Sequence, residues 1–553
     1  MIMKPLLAIA LAGASLAAQA QTIPNSGRIL QQVAPPENVA PRATPDLAVE
    51  RADQPPAADT PPFFVHRILV EGNTAFDSAT LHALVAAGEG NTLTLAQLDA
   101  LAARITDYYH DHDYPLARAI VPAQVLDAGT VRIAVVEARY DQIRLDNRSR
   151  VNDRLLRATL APLQSGQPVA QYALDRSLLL LADIPGVIPH ATLSPGNAVG
   201  TSTLSVQTDP ADPGPVLAGT ITVDNAGNAY TGRARVGVWL DIRNPLRHGD
   251  LITVGAISSG RGLAYARLAY QAIVNGRGTQ LGAAYSILNY DLGGKLDALE
   301  AHGTAAVASA WASHPLIRSR HGNLDVRVQF EHKLLRDRID VVALRGDRHT
   351  ASGTIGLDGD FRDASGINSA SVSITHGRLG FDDAAAAATD AATARAAGTY
   401  TRVNAQFERM QALTARMHLS LGVQAQWSND NLDSSEQFLL GGPQGARAYD
   451  VGVLAGVSGY AATMALRHEI PLSRHSRTEV SLFVDTGSLR INAHPWVAGA
   501  NHARVHSAGL SLDWAGRHRW MARAQLAIPL GSTPVLVGER HRARLWLQLA
   551  KGF

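Results

Sequence analysis

The amino-acid sequence predicts a membrane all-β protein, in which a transmembrane β-barrel of roughly 16 strands follows two small βααββ modules. Three observations carry this prediction. Apolar and polar residues alternate strictly over about 330 residues of the carboxy-terminal part, with no helical pattern between them. The chain opens with a secretory signal, and no run of roughly 18 apolar residues follows it. Two stretches before the alternating region share one order of elements: strand, helix, helix, strand, strand.

The signal is carried by residues 1–20. Lys4 supplies the positive charge, Leu6 to Leu16 form a short apolar run, and Ala18-Gln19-Ala20 forms a cleavage site of the A-x-A type. We therefore expect the mature protein to begin at Gln21. The chain has 553 residues, a formal net charge of +2 and 0 cysteines. Disulfides, thiolate metal sites and a cysteine nucleophile are thereby excluded, and a nucleic-acid partner is disfavoured.

A short amphipathic helix is predicted within residues 21–34. Asn25 or Ser26 would cap it, and Ile29, Leu30 and Val33 would form its apolar edge. Residues 35–62 are rich in proline and small residues, which predicts an extended linker.

The two modules are predicted at residues 63–140 and 141–210. In the first, apolar residues at helical spacing mark the longer helix: Leu95, Leu98, Leu101, Ile105 and Tyr108. In the second, Leu174, Leu178 and Leu181 share one helix face. The modules form an internal repeat of about 70 residues, a length that suits a small α+β unit.

The barrel is predicted at residues 211–553. In "LDVRVQFEHKL", Leu324 to Leu334, apolar residues alternate with charged and amide residues that suit a watery lumen. In the terminal "RARLWLQLAKGF", Leu545, Leu547, Leu549 and Phe553 share one face, and Trp546, Gln548 and Gly552 share the other. The low-complexity segment Asp382 to Gly398 is predicted to be a long outer loop.

Two short motifs in the barrel region draw attention to one possible contact. "LLGGPQGARAYDVG", Leu439 to Gly452, has the glycines and proline of a loop, yet it carries Arg447 and, two residues on, Tyr449. "SLFVDTGS" supplies Phe483, Asp485 and Gly487 on a late strand. A guanidinium group offers a planar fork that one carboxylate accepts through two parallel hydrogen bonds.

With these motifs the whole mature chain resembles the two-partner secretion transporters of the TpsB type, and its modules look like POTRA domains. The family's loop consensus Val-Arg-Gly-Tyr appears here as Ala446-Arg447-Ala448-Tyr449, so two of its four residues differ. The resemblance implies that this loop folds back into the lumen, where Arg447 pairs with Asp485. It also implies that the short N-terminal helix plugs the resting lumen.

The same resemblance implies a function. The protein would sit as a monomer in the lipid of a Gram-negative outer membrane, with its POTRA modules in the periplasm. It would export a large secreted partner of the adhesin or haemolysin type, with an N-terminal secretion domain, without ATP. We expect the strand Thr130–Glu137 to offer an exposed edge, so that Val131, Ile133 and Val135 contact the extended partner by β-augmentation.

Two other functions remain open at the level of sequence. Assembly insertases of the same superfamily carry similar motifs, but they usually have more modules. A passive porin has no need of two modules. No nucleophile elbow or Walker A loop is present, and "HDHD", His110 to Asp113, reads as a solvated helix end because adjacent helical residues point in different directions. We therefore expect neither an enzyme nor a bound metal or cofactor.

Overall fold

A computed structural model describes residues 23–33, 47–49, 61–210, 217–473, 476–532, 534–537 and 541–553. The predicted signal peptide and most of the predicted linker lie outside these residues. Within the described ranges no helix is both long enough and apolar enough to cross a membrane. The fold is the predicted one: a closed barrel of sixteen long strands, counted over the described residues, preceded by two α+β modules and a short helix.

The short helix, α1, spans Ser26–Val33 and lies inside the barrel. The side chain of Asn25 caps it by accepting from the backbone N–H of Arg28 at 3.1 Å. Its apolar edge of Ile29, Leu30 and Val33 is buried against the inner wall. A helix of 8 residues is marginal in water, so the wall supplies the packing that keeps it folded.

The linker holds an element that its composition did not predict. Strand β1, Leu47–Val49, pairs in parallel with a strand of the second module. A three-residue strand among prolines carries no periodic signal, because its partner is about 140 residues away in sequence and edge pairing depends on backbone groups.

The first module packs two helices on a three-stranded sheet. Its longer helix begins with a capping box, in which Thr94 and Gln97 bond each other's backbone N–H, and it buries Leu98, Ile105 and Tyr109. Its elements are β2 (Phe63–Val65), β3 (Arg67–Glu71), α2 (Ser78–Val85), β4 (Asn91–Leu93), α3 (Leu95–Asp111), β5 (Arg118–Ile120) and β6 (Thr130–Val136).

The prediction that Thr130–Glu137 offers an exposed edge is wrong. The sheet order is β3-β6-β5, so β6 is the central strand and pairs on both sides. Val131 and Ile133 are fully buried and Val135 is 5% exposed. These three side chains form the core of the module because they face its two helices, and they are not available to a partner.

The second module repeats this arrangement. Its sheet has the order β1-β8-β9-β7, and Leu174, Leu178 and Leu181 are buried beneath it. Its first strand begins at Arg139, so it crosses the predicted module boundary at residue 140. The elements are β7 (Arg139–Asn147), α4 (Asp153–Leu160), α5 (Gln171–Ala182), β8 (Val187–Pro195) and β9 (Thr201–Pro210).

Neighbouring barrel strands pair antiparallel, and the first and last strands close the ring through five residue pairs, from Thr220 with Gly552 to Asp224 with Gln548. The long strands are β10 (Leu217–Asp224), β11 (Arg235–Arg243), β12 (Asp250–Ser258), β13 (Leu263–Ile273), β14 (Gln280–Asp291), β15 (Ala301–Arg318) and β16 (Gly322–Ile339). After the two-residue β17 (Leu344–Arg345) come β18 (Arg348–Arg362), β19 (Gly366–Phe381), β20 (Gly398–Ala412) and β21 (Met417–Ser428). The short pair β22 (Phe438–Leu440) and β23 (Leu454–Gly456) leaves the wall, and β24 (Ser458–Ser473), β25 (Ser476–Arg490), β26 (His502–Ala515), β27 (Trp520–Leu530) and β28 (Arg544–Gly552) complete it.

The terminal strand shows the two faces of the wall. Leu545, Leu547 and Leu549 are exposed on the outside, whereas Trp546 is 3% exposed on the inside. The predicted outer loop after β19 contains a helix, α6 (Ala384–Ala392), capped by Asp383. Alanine is the best helix former, so this run folds as a helix where low complexity predicted only a loop.

The second module docks on the barrel through a buried ion pair. Arg318, at the end of β15, donates from Nε and Nη2 to the two carboxylate oxygens of Asp183, both at 2.8 Å. Nearby, Arg320 Nε lies 2.7 Å from Asp175 Oδ1, and Arg176 donates to the Pro315 carbonyl at 2.9 Å. The module thus sits at the end of the barrel where β15 turns into β16, which we call the module end.

Candidate functional site

The loop predicted from "LLGGPQGARAYDVG" enters the barrel as a hairpin. Strands β22 and β23 pair antiparallel and bring together the ends of residues 441–453, which we call the lumen loop. Gly441, Gly442 and Gly452 have φ values of +102°, +96° and +61°. Glycine adopts this left-handed region without steric cost, so these positions provide the sharp turns that fold the loop inward.

Arg447 at the tip of the lumen loop meets Asp485 on β25. Its Nη2 donates to Asp485 Oδ1 at 2.7 Å, its Nε donates to Oδ2 at 3.1 Å, and its backbone N–H donates to Oδ2 at 3.1 Å. The Arg447 side chain is 10% exposed and that of Asp485 is 1% exposed. The structure therefore brings together the two residues that the motifs singled out, in a site drier than a watery lumen.

The Asp485 carboxylate is fully used. Thr463 on β24 donates to Oδ1 at 2.9 Å, and Ser507 on β26 donates to Oδ2 at 2.8 Å. In the strand register Thr463 and Ser507 lie directly opposite Asp485 on its two neighbours. Sequence reasoning missed both hydroxyls, because the inward face of each strand is readable from alternation whereas the register between strands is not.

The other three motif residues surround the same contact. The Arg447 guanidinium carbon lies 3.5 Å from the ring centroid of Phe483, a cation–π contact. Tyr449 is 5% exposed, and its hydroxyl lies 3.5 Å from the His506 carbonyl. A Cβ at Gly487 would lie 2.9 Å from a methyl carbon of Leu440, so glycine there lets β22 approach the wall closely.

The two alanines that depart from the family motif fit the structure. Ala446 and Ala448 are 1% and 2% exposed and pack in the apolar cluster between loop and wall. Neither has a positive φ. Alanine at position 448 therefore needs no strained backbone, because the turns lie at the flanking glycines.

The lumen loop also contacts both sides of the barrel closure. Trp546 on β28, the last strand, donates from Nε1 to the Arg447 carbonyl at 2.7 Å. Asp450 accepts from Arg233, in the connection between β10 and β11, at 2.9 Å, and it pairs with Arg544 at the start of β28. The loop thus joins the first hairpin to the last strand from inside, a set of contacts that the motifs did not indicate.

Helix α1 is held in the lumen by charged groups of the wall at both ends. The backbone N–H and the hydroxyl of Ser26 donate to the Asp337 carboxylate at 2.8 and 3.0 Å. At the other end Arg235 donates to the Gln32 carbonyl at 3.3 Å. The helix has no acidic residue in its first turn and no basic residue in its last, so the wall supplies the charges that complement its dipole.

The lumen loop and the segment that precedes it pack against α1. A Cβ at Gly27 would lie 2.5 Å from Ser434 Oγ, and one at Gly452 would lie 2.6 Å from Gln32 Nε2. Arg348 connects this segment to the helix, because it donates to Asp433 at 2.6 Å and also pairs with Asp337, which accepts from Ser26 at the start of α1. The helix and the loop therefore form one packed obstruction, beside an open lumen cavity of ≈ 840 Å³.

This arrangement fixes the lumen loop and α1 against the barrel wall. Asp485 and Arg447 neutralise each other in this contact. Among the residues that the structure describes, no three His, Asp or Glu side chains lie close enough to hold a metal ion.

Comparison with known proteins identifies the architecture. A family model described as haemolysin secretion/activation protein ShlB/FhaC/HecB matches residues 200–514. The chain belongs to this family. A model of the ShlB-type POTRA domain matches residues 63–138, so the first module is a POTRA domain.

Named relatives agree with this assignment. The heme/hemopexin transporter protein HuxB of Haemophilus influenzae is 27% identical over 84% of this chain and 82% of its own length. The outer membrane transporter CdiB of Escherichia coli is 24% identical over 76% of this chain and 71% of its own.

Solved structures agree on the fold. CdiB from Escherichia coli matches with a TM-score of 0.72 at 20% identity, covering 98% of this chain and 96% of that one. BamA from Haemophilus ducreyi, lacking POTRA domains 1–3, matches with a TM-score of 0.52 at 14% identity, over 89% of this chain and 100% of that one. This member of the ShlB/FhaC/HecB family is a two-partner secretion transporter with an outer-membrane barrel.

Proposed function

We propose that this transporter moves one large, unfolded partner protein from the periplasm through its lumen to the cell surface, as a monomer and without nucleotide hydrolysis. The POTRA modules lie in the periplasm and receive the partner. The partner belongs to the adhesin or haemolysin class and carries an N-terminal secretion domain. The names of HuxB and CdiB as transporters support a role in transport.

The observation that carries the proposal is the way the lumen is closed. Helix α1 and the lumen loop are held by side-chain hydrogen bonds, ion pairs and glycine contacts, and neither adds a strand to the barrel ladder. Such an obstruction can leave while the barrel stays closed, because the wall keeps its own ladder hydrogen bonds. A passive porin would have no use for a closure of this kind.

The receptor role of the first module is tested by deleting Phe63–Val136, which ends before β7 and spares the second module. We expect a heat-modifiable barrel at normal membrane abundance and no partner in the medium. Normal levels of secreted partner would contradict the role. A general loss of other outer-membrane proteins from the same strain would instead identify an assembly insertase.

The plug role of α1 is tested by removing residues 21–33 and measuring single-channel conductance in planar bilayers. We expect a larger conductance than that of the intact chain, because the helix occupies lumen volume. The matched control is Arg154→Ala, at an exposed position of α4 in the second module, which should leave conductance unchanged. An unchanged conductance in the α1 deletion would refute the plug.

A further inference from the structure

The outer wall of the barrel carries a cluster of basic side chains far from the lumen. It lies on β16, β18 and β19, towards the end opposite the second module. Because Arg320 at the start of β16 contacts the module, β16 runs away from the module end. His332 and Arg378 therefore lie in the distal half of the wall, near the loop that contains α6.

The strand register places these residues side by side. Ala351 on β18 pairs with His332 on one neighbour and with Arg378 on the other. One step nearer the module end, Gly353 pairs with Phe330 and His376. Since adjacent strands lie about 4.8 Å apart, the basic residues flank a channel about 10 Å wide whose floor is formed by a methyl group and a glycine.

This channel is a groove of ≈ 560 Å³ on the outside of the barrel. Small residues line the groove and leave room for a ligand: Ala308, Ala310, Ala351 and Gly353. Phe330, which is 65% exposed, forms one side. Towards the module end the groove opens onto outward-facing Ile355 and Ile374, which are 61% and 54% exposed. The groove therefore joins a basic rim to the lipid-facing band of the barrel.

Within the described residues, Arg378 is a member of the basic rim that no carboxylate neutralises. Arg378 is exposed, and over the described residues it has no hydrogen bond or ion pair with another side chain. His332 stacks on His349 with ring centroids 6.3 Å apart, and His376 bonds the Thr401 hydroxyl at 3.0 Å. His349 itself pairs with Asp382 at 2.8 Å. An outward-facing arginine is costly at the bilayer midplane and tolerated near the interface, where an anionic group can pair with it.

We propose that this groove binds an anionic membrane lipid with a phosphorylated head. The phosphate lies between His332 and Arg378 over Ala351, where the guanidinium offers a planar fork. The acyl chains run over Gly353 and Phe330 towards Ile355. The occupant is a lipid and not free phosphate, because the groove is continuous with apolar wall that only acyl chains would cover.

The experiment is a native mass-spectrometry titration of the full chain in neutral detergent with lipid A, a glycolipid that carries two phosphates. We expect one tightly retained lipid per chain. Arg378→Gln should lower its apparent affinity at least 5-fold by removing the fork. Ala351→Leu, which fills the floor without changing charge, should lower the affinity to a similar extent.

The matched control is Arg504→Gln on β26, an exposed arginine of another part of the wall, which should retain the lipid as the unmodified chain does. Heat modifiability checks that each variant keeps its barrel. Equal retention by the unmodified chain and Arg378→Gln, or an equal loss in Arg504→Gln, would overturn the site. Displacement of the lipid by millimolar inorganic phosphate would overturn the role given to the acyl chains.

Discussion

The Arg447–Asp485 pair in the lumen and the Arg318–Asp183 pair between the second module and the barrel, which we call the lumen fork and the module fork, differ in which partner is more deeply buried. In the lumen Asp485 is the drier partner, at 1% exposure against 10% for Arg447. At the module end Arg318 is the drier one, at 2% against 17% for Asp183. The free-energy cost of breaking such a pair therefore depends on which charge remains and on what it still contacts.

The remaining contacts differ in the same way. Without Arg447, Asp485 keeps the hydroxyls of Thr463 and Ser507. Without Asp183, Arg318 keeps, among the residues that the structure describes, the side-chain oxygen of Asn323 at 2.8 Å. In the lumen fork the acidic partner, Asp485, is part of the barrel wall and keeps other contacts there. In the module fork the basic partner, Arg318, is the one that belongs to the wall.

The largest effect is expected from breaking the lumen fork. Arg447→Ala and Asp485→Ala should each abolish most export at normal barrel abundance, because loss of a buried partner costs about 3–5 kcal/mol and frees the lumen loop. Secreted partner is the measurement. The double variant should be little worse than either single one, since the two residues act as a unit; strictly additive losses would show that they act independently. Gln444→Ala in the same loop is the control.

The two single variants of the module fork should weaken docking of the second module to different extents. Asp183→Ala leaves the Arg318 guanidinium buried without its carboxylate partner. Arg318→Ala leaves the Asp183 carboxylate, which is partly exposed to solvent. We expect the first change to weaken docking by about 3 kcal/mol and the second by less. Hydrogen exchange of the β15–β16 turn and α5 in the full chain reports the difference. The reverse order of the two variants would show that exposure does not decide the cost.

Glu137, between the modules, is a buried carboxylate that differs from the two forks, because most of its hydrogen bonds come from neutral donors. Burial alone would raise the pKa of Glu137, but hydrogen bonds from Thr74, Ala75 and Tyr109 outweigh it and hold the pKa below its ordinary value. A lowered pKa stabilises the first module above about pH 4.5. This stabilisation is lost as the pH falls through the pKa of the folded state.

Glu137→Gln should therefore weaken the first module near neutral pH by about 1–3 kcal/mol and flatten its dependence on acid. Hydrogen exchange of α3 in the full chain from pH 3.5 to 7, corrected for the intrinsic exchange rate, measures both effects. The control is Glu71→Gln, whose side chain is 57% exposed. An unchanged acid dependence in Glu137→Gln would remove this carboxylate from the explanation.

The smallest effect is expected beside the lumen fork. Ala448→Gly restores the glycine of the family motif but removes a buried methyl group. The backbone at position 448 is not left-handed, so glycine relieves no strain there. We expect the loop to be destabilised by only about 0.5–1 kcal/mol, with export close to normal. Thermal release of the lumen loop, followed by protease cleavage within residues 441–453, measures the change. A clear gain in export would show that alanine at position 448 strains the turn.

The sequence predicted those parts of the fold in which apolar residues recur with a short period along the chain. Inward and outward faces along the barrel strands follow from alternation, because lipid lies on one side and polar groups on the other. The contact of Arg447 with Asp485 followed from the family motifs. By contrast Thr463, Ser507 and Trp546 reach the lumen site through pairings between strands that no local pattern encodes.

The incorrect edge assignment of β6 has the same cause. Val131, Ile133 and Val135 alternate as an edge strand does, and their two neighbours β3 and β5 are decided by tertiary packing. Helix α6 is different, since alanine propensity and the Asp383 cap were both readable in the sequence. There the low-complexity appearance concealed a signal that was present.

Because β1 pairs with the second module, α1 is tethered to that module by the chain between Val33 and Leu47. Thirteen residues along the chain separate Val33 from Leu47, which limits the reach to about 50 Å even when fully extended. A tether of this length keeps its end at an effective concentration of about the millimolar range. A helix that has left the lumen therefore returns by an intramolecular step whose speed does not depend on how much transporter the cell contains, and a passing chain delays that return only while it fills the channel.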